Sequence, residues 1–351
     1  MPCRITRHGM ILYYSSIHNR RKKVQNKEKK VKKKKGGISY AKWGYIFILP
    51  FFITYFIWSF LPQVLTFVYS FFKVYTEGLN EVAPEFIGLG NYADLFTKTI
   101  GDSKTPTILL YAGNTMIMWI LGAVPQFLIA LLLAVWFTNL RLNIKGQGFF
   151  KTVIYMPNLI MASAFSMLIW TVFNPTGPVH MILENANLVS KEYDLFFSVT
   201  WARGLVAGIN FLMWFGNTTI VLMAGIMGID NSLFEAALID GANSRKVFFK
   251  ITLPLLMPIL TYAVITSLIG GINMYDVPYI LSKGNGTPNN TTTTLIMFIQ
   301  RLLGPSKDYG SAGAASVLVF IFSAILSLIV FKFFISKDGM KDNTKRGGKR
   351  K

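Results

Sequence analysis

The stretch "SLFEAALIDGANSRKVFFKITLPLLMP", residues 232–258, strings acids, bases and hydroxyls together in order, yet long apolar runs flank it on both sides. Ser232 and Glu235 have the spacing of a capping box, in which the hydroxyl accepts from the Glu235 amide while the Glu235 carboxylate reaches back. Asp230 and Asn231 add cap character and negative charge at the positive end of the helix dipole. This spacing predicts a helix starting at about 232, with Phe234, Ala237 and Leu238 on one face. Gly241 predicts the helix end or a sharp turn, because glycine inside a helix costs about 1 kcal/mol relative to alanine. Ser244 is expected to open a second short helix with Val247, Phe248 and Ile251 on its apolar side. Pro254 and Pro258 are expected to break that helix before the next apolar run. The result is a short helix-turn-helix at a membrane face. On periodicity alone it fits an amphipathic loop resting on headgroups as well as it fits a docking element for a partner.

The flanking runs set the class. The chain has 351 residues, is 52% hydrophobic and contains 29 phenylalanines. Its mean hydropathy of +0.43 is too apolar for an ordinary soluble domain. Six stretches are long and apolar enough to cross a bilayer: 43–72, 109–137, 149–173, 204–229, 259–281 and 311–335. Each contains Gly, Pro or polar residues, which membrane helices tolerate where neighbours or a cavity satisfy the backbone. The expected fold is an all-α integral membrane protein with six transmembrane helices. Placing the N-terminus in the cytoplasm puts 28 of the 36 Lys and Arg residues inside, which makes both termini cytoplasmic. The chain then divides into a basic tail 1–42, a transmembrane domain 43–335 that holds the loop 230–258, and a second basic tail 336–351.

The run "RRKKVQNKEKKVKKKK" (20–35) reads as a topology and anionic-lipid signal. It has no interleaved aromatics to stack bases, so nucleic acid is not an expected partner. A single cysteine, Cys3, excludes an intrachain disulfide and a cysteine-based metal site. His8, His18 and His180 are scattered without ligand spacing, so no metal site is expected. The chain lacks GxxxxGK[ST] and any visible Ser/His/Asp arrangement, so no catalytic residues are expected.

Polar and aromatic residues inside the later spans suggest a solute pathway. Span four carries Asn210, Trp214 and Asn217; span five carries Gly270, Gly271, Asn273, Tyr275 and Asp276. Trp214, Asn217 and Gly271 lie at spacings that allow them to face one cavity together with Asp276. Amides and carboxylates beside aromatic rings suit carbohydrates, whose hydroxyls need partners and whose apolar faces lie on rings. Asp276 is a functional candidate as an intramembrane carboxylate, although at 1.5 Å per residue it also fits an interfacial position about 8 Å deep. Trp214 fits either a pathway or bundle packing. Asn114 and Trp119 in span two are weaker candidates. The spans as bounded show no Lys or Arg in mid-membrane, which favours a neutral solute.

The pattern Glu235-Ala236-Ala237, Asp240-Gly241-Ala242, Phe248, Ile251, Leu253-Pro254 and Pro258 resembles the cytoplasmic loop of ABC importer permeases. It is most similar to the sugar-transport branch that includes the first permease of the maltose-type systems. "FIGLGNYADLF" (86–96), "FNPTGPVHMIL" (173–183) and "TTLIMFIQRLLGPSKDYGSAGAASVLVF" agree, and the resemblance covers residues 43–335. It implies that the loop is a coupling helix seated in a cleft of an ATPase subunit. Glu235 would pair with a basic residue there, Ala236, Ala237 and Gly241 would give fit, and Phe248 and Ile251 would pack, with Asp240 and Pro254 completing the pattern. Trp214, Asn217, Gly271 and Asp276 would lie near positions that line the sugar site. The implied protein is a multi-pass permease of a bacterial cytoplasmic membrane that imports a carbohydrate, expected to be an oligosaccharide. Its implied partners are a second homologous permease, two ATPase subunits and an extracytoplasmic solute-binding protein. ATP and Mg would sit on the ATPase, with no cofactor on this chain. Glycerol phosphate or another polar solute is the alternative cargo. A stand-alone secondary transporter should instead show paired intramembrane ionisable groups or an internal repeat. One departure is "SKGNGTPNN" (282–290), where many relatives carry a Gly-Gly-Pro turn; it bears on the register of the outer loop.

Overall fold

The computed structural model describes residues 41–77, 80–82, 84–100, 104–139, 145–190, 193–304 and 307–335. The tail residues 1–40 and 336–351, with Cys3, His8, His18, the basic run 20–35 and Arg141, lie outside the described residues. The described residues fall into two compact units that divide between Pro62 and Gln63.

In the first unit α1 (Ala41–Tyr55) leads into a π-helical turn, Phe56–Phe60. The amide of Leu61 donates five residues back, to the Phe56 carbonyl. Pro62 follows, and its position explains the widened turn. A proline ring clashes with the carbonyl four residues earlier, here that of Trp58, and a π turn relieves that clash without ending the helix. Helix α2 is Leu61–Tyr69.

The second unit holds two small antiparallel ribbons, in which β1 (Phe72–Lys73) pairs with β4 (Glu85–Phe86) and β2 (Thr76–Glu77) with β3 (Asn80–Glu81). Helix α3 (Gly90–Thr97) follows, anchored by Asn91, whose buried amide donates to the Ser70 and Phe72 carbonyls at 2.9 Å each. The remaining helices are α4 (Thr107–Thr138), α5 (Gln147–Tyr155), α6 (Ala162–Phe173), α7 (Pro178–Asn185), α8 (Val199–Met227), α9 (Asn231–Ile239), α10 (Ser244–Val247), α11 (Leu253–Ile272), α12 (Asp276–Leu281), α13 (Leu295–Leu302) and α14 (Tyr309–Ile335).

Five helices among the described residues are long and apolar enough to cross a membrane, and a bent pair brings the number to six if it is one span. This corrects the third span, read as continuous over 149–173. It is broken into Gln147–Leu159 and Ala162–Asn185, at 91° to each other. Pro157, which has no N–H to continue the ladder, lies in the 3₁₀ turn Met156–Leu159 at the break. The break rests on α8: Asn158 donates to the Met213 carbonyl at 3.1 Å, and Gly216 lies so close that a β-carbon would meet the Ile154 carbonyl oxygen at 2.1 Å. The expected break at Pro254 and Pro258 is also corrected. Helix runs on from α10 through a π turn, Phe248–Thr252, into α11, with the Leu253 amide bonded back to Phe248. The carbonyl that Pro254 would strike belongs to Lys250, inside that turn, so the turn absorbs the proline as it does before Pro62.

Three buried clusters hold the bundle. The first joins α3, α4, α11, α13 and α14 around Tyr111, Leu268, Ile272 and Ala314. The second joins α4, α8 and α12 around Met118, Ile209, Met213 and Val277. The third lies nearer the loop 230–258, where Ala130 and Ala134 meet Leu222, Ile226 and Leu256. Small residues set the spacing. A β-carbon on Gly122 would meet the Ala207 carbonyl oxygen at 2.9 Å, and one on Gly313 would meet that of Thr66 at 2.8 Å.

Candidate translocation cavity and coupling loop

Helices α4, α8 and α11 enclose a cavity of about 330 Å³. Helix α8 contributes Asn210, Trp214, Asn217, Thr218 and Val221, which recur at steps of three and four residues and so share one face. Helix α4 contributes Trp119, Gly122, Ala123 and Gln126, and α11 contributes Tyr262, Ala263, Thr266, Ser267, Gly270 and Gly271, with Met274 beyond its end. No charged side chain among the described residues lines this space.

Some polar groups here are already engaged. Gln126 donates to the Thr218 hydroxyl at 2.8 Å, and Trp119 Nε1 donates to Ser267 Oγ at 3.3 Å. Asn210 donates to its own helix, to the Val206 carbonyl, and lies 3.5 Å from Met274 Sδ. The Asn217 amide, the Trp214 indole N–H and the Tyr262 hydroxyl have no hydrogen-bond partner among the described residues, and Trp214 and Tyr262 are 48% and 63% exposed. Free donors and two open aromatic faces around a neutral cavity are what a polyhydroxylated ligand needs.

Of the residues expected to share a cavity, Trp214, Asn217 and Gly271 come together, and Asn273 and Asp276 do not line it. The reason is a break in span five. Helix α11 ends at Ile272, Asn273 turns outward to donate to the Ile269 carbonyl at 2.9 Å, and Asp276 opens α12 on an exposed face beside the stacked rings of Tyr275 and Tyr279. Gly271 lies against Trp119, whose ring a β-carbon would strike at 2.0 Å, so this glycine gives the indole its place. Gln126, Tyr262 and Ser267 were not singled out in sequence, although a lone amide in the middle of span two is the signal that marks Gln126.

The loop 230–258 builds a rigid corner. Helix α9 starts at Asn231, one residue before the expected start. Its cap is the Asp230 carboxylate, which accepts from the Ser232 amide at 2.9 Å, in place of the expected Ser232–Glu235 box. The same bond holds the Asp230 carboxyl below its ordinary pKa. Gly241 takes the left-handed conformation at φ 68°, with Gly241 N–H on the Leu238 carbonyl at 3.1 Å and Ala242 N–H on Ala237 at 2.9 Å. These two bonds form a Schellman ending. Helix α10 opens at Ser244, and Asn243 caps it by accepting from the Lys246 amide at 2.9 Å.

Glu235, Ala236, Asp240 and Gly241 are exposed, while Ala237 is buried and Phe248, Ile251 and Pro254 are half-buried. Lys98–Asp94 is the one ion pair among the described residues, so the Glu235 carboxylate has no basic partner in this part of the chain. Phe234, Leu238, Val247 and Phe248 face a second cavity of about 300 Å³ that also reaches Val135 and Ile226 at the ends of α4 and α8.

Within the second unit the apolar helices thus carry a bent pair, a cavity between α4, α8 and α11 and a capped corner between α8 and α11. Residues 109–337 match the family model described as "Binding-protein-dependent transport system inner membrane component", and the chain belongs to that family. It is therefore a multi-pass protein of the cytoplasmic membrane and a transport subunit, not an enzyme. Among its relatives is the "Probable ABC transporter permease protein YesP" of Bacillus subtilis (strain 168), 30% identical over 294 residues, which are 82% of this chain and 89% of that one. Another is the "Lactose transport system permease protein LacF" of Rhizobium radiobacter, 30% identical over 250 residues, 70% of this chain and 80% of the relative. The fold is also similar to that of a chain in the crystal structure of a bacterial alginate ABC transporter in complex with an alginate-pentasaccharide-bound periplasmic protein. There the TM-score is 0.69 at 21% identity, with 86% of this chain and 98% of that one covered.

Proposed function

We propose that this chain is the permease of an ATP-driven importer that carries a neutral oligosaccharide through the cavity between α4, α8 and α11. The observation that carries this reading is the cavity itself. Its lining combines two exposed aromatic faces with amide and hydroxyl groups and contains no charge. Rings lie against the apolar faces of sugars, and free amides satisfy their hydroxyls. The lactose-transport relative supports a carbohydrate cargo. Helix α8 does contain a base, Arg203, one turn inside its start, which the span as first bounded left out. Its guanidinium bonds Thr291 and Asn114 and does not line the cavity, so glycerol phosphate and other anions remain the weaker cargo.

In this reading both termini and the loop 230–258 face the cytoplasm. The exposed Glu235 pairs with a basic residue of an ATPase subunit while Ala236 seats against it. Ala237, turned inward, holds α9 to the chain, with Phe248 and Ile251 beneath. Asp240 and Gly241 make the corner, and Pro254 with its π turn joins the corner to α11, which lines the cavity. A movement imposed on α9 thus passes the Gly241 corner into the helix that is continuous from α10 through the π turn to α11, and so reaches the cavity, as rigid-body switching requires. Asn273 and Asp276 face the outer side of the pathway. The assembly is this chain, a second homologous permease, two ATPase subunits carrying ATP and Mg, and an extracytoplasmic binding protein. This chain itself holds no cofactor.

Uptake of a saccharide panel tests the cargo. Cells expressing the complete system are expected to accumulate short neutral saccharides and lose that uptake when this chain is deleted. Uptake restricted to phosphorylated solutes would contradict the reading.

A further inference from the structure

Beyond the cavity, toward the start of α4 and α8, the segment 284–294 is bound by two arginines that have no carboxylate partner among the described residues. Arg203 donates through Nε to the Thr291 carbonyl at 3.0 Å and through Nη2 to Asn114 Oδ1 at 2.6 Å. Asn114 turns its own amide the other way, donating to the Asn290 carbonyl at 2.9 Å. Arg301 holds the same segment from α13, with Nη1 on Asn290 Oδ1 at 3.1 Å and Nη2 on the Gly284 carbonyl at 3.0 Å. The segment also touches the cavity lining. Thr294 is fully buried and donates to the Met274 carbonyl at 2.8 Å, and Met274 lines the cavity.

Unpaired cations at the edge of a membrane span are costly, and charge-assisted bonds to carbonyl and amide oxygens are the strong kind. Arg203 lies seven residues before Asn210 on the face of α8 that lines the cavity, about 10 Å further out at 1.5 Å per residue. Anything that shifts α4 against α8 must therefore pull on the Arg203–Asn114–Thr291 contacts.

We propose that Arg203 and Asn114 are positioning residues of a latch that holds the segment 284–294 closed over the outer side of the cavity, and that opening outward requires this latch to part. The inference rests on the transport reading for which side is outer. Its chemistry is ordinary: a planar guanidinium reaches two oxygens at once, and lysine has no such fork.

The test uses the full chain with Cys3→Ser, Asn217→Cys as a reporter in the cavity, and a membrane-impermeant maleimide added to sealed membranes from either side. In Arg203→Gln the reporter is expected to label at least about five times faster from the outer side, with no change from the cytoplasmic side. Arg203→Lys, which keeps the charge, is expected to fall between Gln and the parent and covers the case in which Gln fails to fold. Asn114→Ala should reproduce Gln. Equal outer-side labelling in parent and variants overturns the latch. Faster labelling in a system that carries no saccharide supports the latch and overturns the cargo reading instead.

Discussion

At the scale of single residues, the cavity depends on contacts that leave no room for a methyl group. Gly271 lies where a β-carbon would be 2.0 Å from the Trp119 ring, and that ring is itself tied to Ser267. Gly271→Ala is expected to expel the indole from its position and destabilise the chain by about 1–3 kcal/mol, the usual cost of overpacking. Thermal unfolding in detergent should show this as a lowered midpoint, while Gly270→Ala, which meets nothing within 4 Å and lies inside the helix, should leave the midpoint unchanged or raise it. Trp214 and Asn217 were legible in sequence because a ring and an amide three residues apart in an apolar helix are hard to place anywhere but on a cavity or an interface. Asp276 was misleading in its placement for a physical reason. A carboxylate in an apolar run signals cost, but whether the helix is continuous at that point decides which way it faces, and Asn273 interrupts it. Arg203 escaped notice because hydropathy began the span at 204, five residues after the helix starts at Val199.

At the scale of elements, the corner between α8 and α11 is built from two caps and one left-handed glycine. Asp230 accepts from the Ser232 amide, and its carboxyl is held below the ordinary carboxylate range by that bond. A depressed folded-state pKa means that the cap contributes fully above the unfolded value and is lost as pH falls through the folded one. The protection of the first turn of α9, taken as exchange relative to the intrinsic rate at each pH, should therefore be constant near neutrality and fall in acid, and Asp230→Ala should abolish that fall. At Gly241, φ of 68° excludes branched side chains. Gly241→Val should cost about 1–2 kcal/mol, whereas asparagine, which tolerates this conformation, should cost much less. Proteolytic nicking of the loop 230–258 reads the difference; equal nicking in the two variants would show that the corner does not depend on this conformation. The helix-turn-helix and its glycine were readable from the order of polar residues alone. The π turns were not. They arise from where Lys250 and Trp58 carbonyls fall relative to Pro254 and Pro62, a three-dimensional clash that one-dimensional punctuation presents as a break.

At the scale of the whole molecule, the apolar runs made the membrane class legible, with five of the six expected spans as long apolar helices and the other a bent pair, and the loop pattern made the family legible. The break in the third run was hidden because its two halves are each apolar, and Pro157 together with the contacts of Ile154 and Asn158 on Gly216 and Met213 marks the bend. The account holds that this chain moves solute only as part of an assembly whose energy enters at α9. Glu235 is exposed, has no ion-pair partner among the described residues, and sits on α9, which the Gly241 corner joins to the helix that runs on to the cavity wall. The direct test is co-purification: tag the chain, solubilise the membranes gently, and identify what accompanies it by mass spectrometry, alongside Glu235→Arg. The account predicts recovery of an ATPase and a second permease with the parent chain, and at least several-fold less ATPase with Glu235→Arg. A chain that emerges alone and carries solute in liposomes without ATP would contradict it.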